Sequence, residues 1–218
     1  PFWHTFLTGL GFRVVLSPKS DKHVYEKGLD SIPSEAICYP AKLAHGHIMS
    51  LIEQGIRFIF YPCAVFELKE FKESDNNFNC PVVAGYPEVI KINIDDLRQK
   101  GVTYMRPFIS FREKAKMKAT LHDCFEAFGV TKKEIDSAVD LAYSEADRYR
   151  ADIRQKGVEA LRYIEEHGIR GIVVCGRPYH TDPEVNHGLA ELITAEGMAV
   201  FTEDSVAHLG TVPRPLRV

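Results

Sequence analysis

The sequence has no apolar run approaching the roughly 20 residues that a membrane span requires, and no signal-peptide pattern is visible in it. It has no strong charge of either sign: the formal net charge is −3, which leaves no basic field for nucleic acid or for an anionic membrane. It has no CxxC pair, so the sharpest thioredoxin and zinc-ribbon signals are missing. Its five cysteines are an odd number and cannot all be paired, and nothing points to secretion. A cytoplasmic setting is therefore expected, with thiols that are core, metal-binding or catalytic groups. There is no Walker-type glycine loop and no nucleotide fingerprint, so this chain is not expected to hydrolyse ATP. Finally, there is no initiator Met. The chain opens on "PFWHTFLTGLGF", a helix already under way, and closes on "TVPRPLRV" just after a strand-like segment, which reads as a piece of a longer protein.

What is present is an α/β alternation over 218 residues. Strand-like runs are "FRVVLS" (12–17), "FIFYP" (58–62), "PVVAGYP" (81–87) and "VTYMRPF" (102–108). "AKLAHGHIMSLIEQG" (41–55) reads as an amphipathic helix opened by Pro40 and closed by Gly55. Helix-then-strand units with short turns predict a doubly wound, mostly parallel Rossmann- or flavodoxin-like sheet, with ligands outside the carboxyl ends of its strands. From 131 the texture changes. "TKKE" has the form of a capping box, and an apolar stripe runs from Ile135 to Ile153 at spacings of four and three, carried onward by Val158, Leu161 and Ile164 until Gly168. Unbroken, such a helix spans on the order of 50 Å, with Gly157 its weakest point. "GIVVCGRPYH", "PEVNHGLAELITAEG" and "MAVFTED" then read as strand, helix and strand. The organisation expected is a Rossmann-like domain over 1–130, a long connecting helix over 131–168, and a βαβ unit over 169–218. That last unit either completes the sheet or begins a partial second lobe.

Three cysteines stand out by position. Cys38 precedes the helix at 41–55, Cys63 follows the strand at 58–62, and Cys80 follows the polar loop "NNFNC". Thiolates are the soft ligands that zinc and iron–sulfur clusters prefer, but free cysteine is also among the most buried residue types. Spacing alone leaves both readings open. Cys124 and Cys175 read as core packing. His45 and His47, two residues apart on one helix, point away from each other and cannot chelate together. Glu35 and Glu67, each near a cysteine, read as solvated. "GRPYHTDPEVNHG" gathers Arg177, Tyr179, His180, Asp182 and Asn186 at a strand-to-helix turn. That turn is either a cofactor- or anion-binding site or a local Asp182 cap, since both use the same geometry.

Several blocks of ten residues or more, among them "PFWHTFLTGLGFRVVLSP", "IPSEAICYPAKLAHGH", "NCPVVAGYPEVI" and "GRPYHTDPEVNHG", together with "FIFYPC", closely resemble an activase-related domain. Its proteins belong to the 2-hydroxyacyl-CoA dehydratase and benzoyl-CoA reductase system. The resemblance runs over nearly the whole chain. It implies a domain of poorly defined function that follows actin-like ATPase activator domains, the expected partners, in a longer parent chain. A more distant similarity is to dehydratase subunits, where three cysteines hold a [4Fe–4S] cluster between Rossmann-like lobes. By that analogy Cys38, Cys63 and Cys80 are the metal ligands, and the domain takes part in electron transfer or reduction of an acyl-CoA-like ligand. The chain is too short for a full two-lobed dehydratase subunit. The alternative is a non-catalytic interaction or regulatory module whose cysteines are buried. A zinc site, which favours four closed ligands, is one ligand short.

Overall fold

The computed structural model describes residues 1–69 and 77–210. In chain order the helices are α1 (Phe2–Gly9), α2 (Lys22–Gly28), α3 (Tyr39–Glu53), α4 (Pro81–Asn93), α5 (Asp95–Gln99), α6 (Lys114–Phe125), α7 (Lys132–His167), α8 (Leu189–Ala195) and α9 (Glu203–Val206). The strands are β1 (Phe58–Phe60), β2 (Cys63–Phe66), β3 (Thr103–Met105), β4 (Phe108–Ser110), β5 (Gly171–Val174) and β6 (Ala199–Thr202). All three strand pairs, β1 with β3, β2 with β4 and β5 with β6, are parallel.

The first two pairs are one ladder with a pause in it. Phe58 faces Thr103 and Cys63 faces Phe108, the same offset each time (103 − 58 = 108 − 63 = 45). At that offset Pro62 stands opposite Pro107, and neither has an N–H to donate. The amides of Tyr61 and Cys63 bridge the pause by donating to the carbonyls of Met105 and Pro107, each at 2.9 Å.

Side chains alternate across this ladder, and helices cover both faces. Phe58, Phe60, Ala64 and Ile109 pack with Phe2, Phe6, Leu121, Phe125, Ile135 and Val139 from α1, α6 and α7. Ile59 and Tyr61 face the other way, against Ile48, Ile52, Tyr86 and Ile90 from α3 and α4, and Leu97 from α5. The expected α/β architecture with parallel pairing is thus present, but each ladder is two strands wide among the described residues, not one wide doubly wound sheet.

Two strands read from the sequence are not strands. Residues 81–86 open α4: Pro81 suits the first helical turn, and Tyr86, Pro87 and Ile90 form the buried face. Residues 12–17 join no ladder. Phe12 stacks on Phe58 at 5.8 Å between ring centroids, Leu16 stays exposed, and the segment forms one wall of a cleft instead of a third strand beside β1. The helix read from Pro183 begins only at Leu189, because His187 and Gly188 both take positive φ and break the path.

The long helix is continuous. The Thr131 hydroxyl accepts from the Glu134 amide, while Glu134 accepts from the Thr131 amide at 2.8 Å, closing the capping box. Its 36 residues span about 54 Å at 1.5 Å each, and Gly168 closes it with φ of 63°. Ile135, Ala138, Val139 and Ala142 are buried in the main core, whereas Tyr149 and Tyr163 are exposed. Gly157 does not break it. A Cβ there would meet the Ser205 carbonyl oxygen at 2.1 Å, so glycine is what lets α9 cross so closely. The distal half of α7 thereby carries the β5–β6 unit. Among the described residues, no helix is long and apolar enough to cross a membrane.

Candidate functional site

A cavity of about 870 Å³ opens along the free side of β1, between the ladder, the 12–16 segment, the starts of α3 and α4, and the turn after β5. Its wall is mostly apolar. The exceptions include Cys38, Cys80, Arg13, Arg177 and Glu67.

Cys38 and Cys80 occupy equivalent places. Each is the residue before a helix, Cys38 before α3 and Cys80 before α4, and each is followed within two positions by a proline (Pro40, Pro81). No side chain caps either helix. Helix N-termini present unpaired amides, which favour an anion or a thiolate-held centre facing them. Cys80 reaches the cleft by a return path along β2: the Glu67 amide donates to the Asn77 carbonyl and the Asn79 amide to the Val65 carbonyl, both at 2.9 Å. The Asn79 side chain then donates to the Ala64 carbonyl (3.1 Å) and to Glu67 (2.8 Å), holding the last loop residue before Cys80. The first residue of "NNFNC" lies outside the described residues.

Cys63 sits elsewhere. It begins β2, is fully buried, and by strand alternation shares a face with Ile59 and Tyr61, toward α4. Burial pushes its thiol up, the Glu88 carboxylate adds to this, and Arg106 and a backbone bond from Glu88 oppose it. Arg106 Nε lies 2.8 Å from Glu88 Oε1, an ion pair without aligned hydrogen-bond geometry. Beside Cys63, burial raises the Tyr61 phenol to about 12 and also raises that of Tyr104, which donates to the Pro87 carbonyl at 3.1 Å. The structure therefore brings Cys38 and Cys80 to one cleft and leaves Cys63 buried and off its lining, next in sequence to Tyr61 and Pro62, which do line it. Among the described residues, no three His, Cys, Asp or Glu side chains converge as an ion site. Cys124 packs on the main core as expected, but Cys175 is exposed at the carboxyl end of β5 instead of buried.

The turn after β5 contributes Arg177 and Tyr179 to the same cleft. His180 is exposed and packs against Gly176, where a Cβ would meet its ring at 1.7 Å. Asn186 turns inward on its own loop, accepting from the Gly188 amide at 2.9 Å. Asp182 caps no helix, since none begins at Pro183; it pins its own turn, accepting from the amides of Glu184 (3.0 Å) and Val185 (3.1 Å). Of the two readings left open by the sequence, the helix cap is not formed: Asp182 fixes a turn, and Arg177 lines the cleft.

Two hydroxyl–carboxylate bonds dock this turn. Tyr39 donates to Glu184 at 2.8 Å, and Ser20 donates to Asp182. Burial and the Glu184 carboxylate hold the Tyr39 phenol above its ordinary value. Because Ser20 has one proton and gives it to Asp182, its oxygen accepts from His47 Nε2 at 3.1 Å. His47 is therefore the Nε2–H tautomer, with Nδ1 buried and without a partner among the described residues. Burial lowers its pKa, against the pull of Asp182 and Asp21.

A second histidine, His45, anchors the cleft wall from within the core. Ser31 donates to the Gly28 carbonyl at 2.9 Å, so its oxygen accepts from His45 Nδ1 at 2.8 Å. His45 Nε2 is then the acceptor for the Tyr86 hydroxyl at 2.9 Å, and Tyr86 lines the cleft. His45 is fully buried, and burial lowers its pKa to about 4. The wire fits because α2 crosses α3 at glycine: a Cβ on Gly46 would lie 1.7 Å from the Val24 carbonyl oxygen.

Helices on both faces of a parallel ladder, and a pair of cysteines each placed just before a helix on an apolar cleft, define an α/β domain built around a ligand- or cofactor-sized opening. More specifically, the chain belongs to the CoA enzyme activase uncharacterised domain family, whose profile matches residues 1–206. No curated protein and no solved structure is significantly similar to it.

Proposed function

We propose that this domain is an iron–sulfur, electron-relaying component of a CoA enzyme activase system, with Cys38 and Cys80 supplying thiolates to a [4Fe–4S] cluster in the cleft. The observation that carries the reading is the matched placement of these two cysteines at the uncapped starts of α3 and α4, on one cavity wall. A cluster held there would accept and release single electrons. The chain's own part is to supply sulfur ligands, to surround them with apolar wall, and to offer first-turn amides as donors toward sulfur. In this proposal the electrons come from actin-like ATPase activator domains, and their destination is an acyl-CoA-linked reduction. Cys63 enters as the third ligand implied by the resemblance, and its buried sulfur, which does not line the cavity, would have to move to reach it.

The residues fit in part, two thiols on the cleft and one buried off its lining. A second reading, a non-catalytic interaction module, is favoured by that burial of Cys63 and by the lack of three converging donors among the described residues. Thiol footprinting after anaerobic reconstitution separates the two. The proposal expects Cys38 and Cys80 to become protected from iodoacetamide while exposed Cys175 stays reactive. Equal labelling of all three before and after reconstitution supports the interaction module. Cys63→Ser, assayed in parallel, decides how many chain thiolates the site uses.

A further inference from the structure

The cleft has more wall than a cluster needs, and the rest of the wall has its own chemistry. Phe12, Val15, Phe60 and Val83 give it an apolar lining, and its lip leaves Leu16 74% and Val83 43% exposed. Apolar surface left facing a cavity is a standing cost that an apolar ligand removes. A volume of about 870 Å³ is in the range that holds a small organic molecule.

The polar groups on that wall select the ligand's charge. Arg13 and Arg177 both line the cavity, both are exposed, and neither has a carboxylate partner among the described residues. Their nearest counterweight on the wall is Glu67, already accepting from Asn79 at 2.8 Å. Two cations and one anion leave room for one negative charge and oppose a second. Guanidinium favours bidentate acceptors such as the planar carboxylate or two oxygens of a tetrahedral sulfonate.

We propose that the cleft binds a compact apolar ligand carrying a single anionic group, an aryl or branched aliphatic carboxylate or sulfonate, with the anion taken by Arg13 and Arg177. The inference deepens the reading of this cleft as a functional site and does not depend on the cluster. It is tested on iron-free protein, so that loss of iron binding and loss of anion binding are read separately.

The chain carries its own reporter, because its one tryptophan, Trp3, lines the cavity and packs on Phe60 at 4.9 Å between ring centroids. The probes are anilinonaphthalene sulfonate and its uncharged counterpart phenylnaphthylamine, each titrated while Trp3 emission is followed. The expected result is saturable quenching by both, with the sulfonate bound about tenfold more tightly, as one charge-assisted contact allows. Arg13→Gln with Arg177→Gln should bring the sulfonate to the affinity of the neutral probe and leave the neutral probe unchanged. Both side chains are exposed, so the fold should survive, and circular dichroism checks that it does. Equal affinity of the two probes for the native chain overturns the proposal, as does unchanged sulfonate binding in the double variant. Displacement of the probe by coenzyme A, a hydrophilic polyanion, as readily as by a simple aryl carboxylate overturns the single-charge limit.

Discussion

Acidification from pH 7 to pH 4 isolates one buried group, His45. In the folded chain burial lowers its pKa to about 4, whereas in the unfolded chain it titrates near the ordinary 6.5. The sign follows from which state takes the proton. Below pH 6.5 the unfolded chain binds it and the folded chain does not, so stability falls as pH drops, and it levels off only below about pH 4. A difference of some 2.5 pH units corresponds to about 3 kcal/mol lost across that window, a large share of a typical domain's stability. Other groups titrate in the same range, so the measurement is a difference: urea unfolding of the native chain and of His45→Gln, each at pH 7, 6, 5 and 4. At pH 7 the variant should be weaker by about 1–3 kcal/mol, because the wire from Tyr86 to Ser31 is broken inside the core. Toward pH 4 the native chain should lose about 3 kcal/mol more than the variant, so that the gap closes or reverses. A stability gap that stays constant from pH 7 to pH 4 would refute the reasoning, since His45 would then titrate as though water reached it. Nitrogen NMR at pH 7 gives an independent check, with the proton expected on Nδ1 and none on Nε2.

Two further outcomes follow from packing. Gly46→Ala places a methyl 1.7 Å from the Val24 carbonyl oxygen, so α2 and α3 must separate. The expected loss is about 1–3 kcal/mol or more by urea unfolding, and a neutral result would show that the helices do not cross at Gly46. Thr131→Ala removes the hydroxyl half of the capping box at the start of α7, with about 1 kcal/mol expected in the same assay and no change in probe binding at the cleft.

How much of this was legible in the sequence varies by element. The α7 helix was fully written: capping box, apolar stripe and terminal glycine are all local signals, and the structure uses each one. The parallel β5–β6 pair was equally clear from "GIVV" and "MAVF". Residues 81–87 misled because Val82, Val83 and Tyr86 are strand formers and Pro87 reads as a helix breaker. The competing signal was Pro81 as a helix opener followed by Tyr86, Ile90 and Ile94 at steps of four. The segment at 12–17 has strand composition, yet composition cannot say whether a backbone partner lies beside it. In the cleft, the pairing of Cys38 with Cys80 was readable as two cysteines each preceding a proline-opened helix, once 81–87 is seen as helical. The place of Cys63 was also readable, from its parity with Ile59 and Tyr61 along the strand. The Pro62–Pro107 pause, the tautomers of His45 and His47, and the presence of Arg13 and Arg177 on one cavity depend on long-range register, and no local pattern encodes them.

The most direct test of the central claim is the iron and acid-labile sulfide content after anaerobic reconstitution of the native chain and of Cys38→Ser, Cys80→Ser and Cys124→Ser. The account predicts bound iron and sulfide in the native chain and in Cys124→Ser, whose thiol packs on the core away from the cleft, and loss of most of both in Cys38→Ser and Cys80→Ser. Equal iron in all four proteins, or none in the native chain, would contradict it.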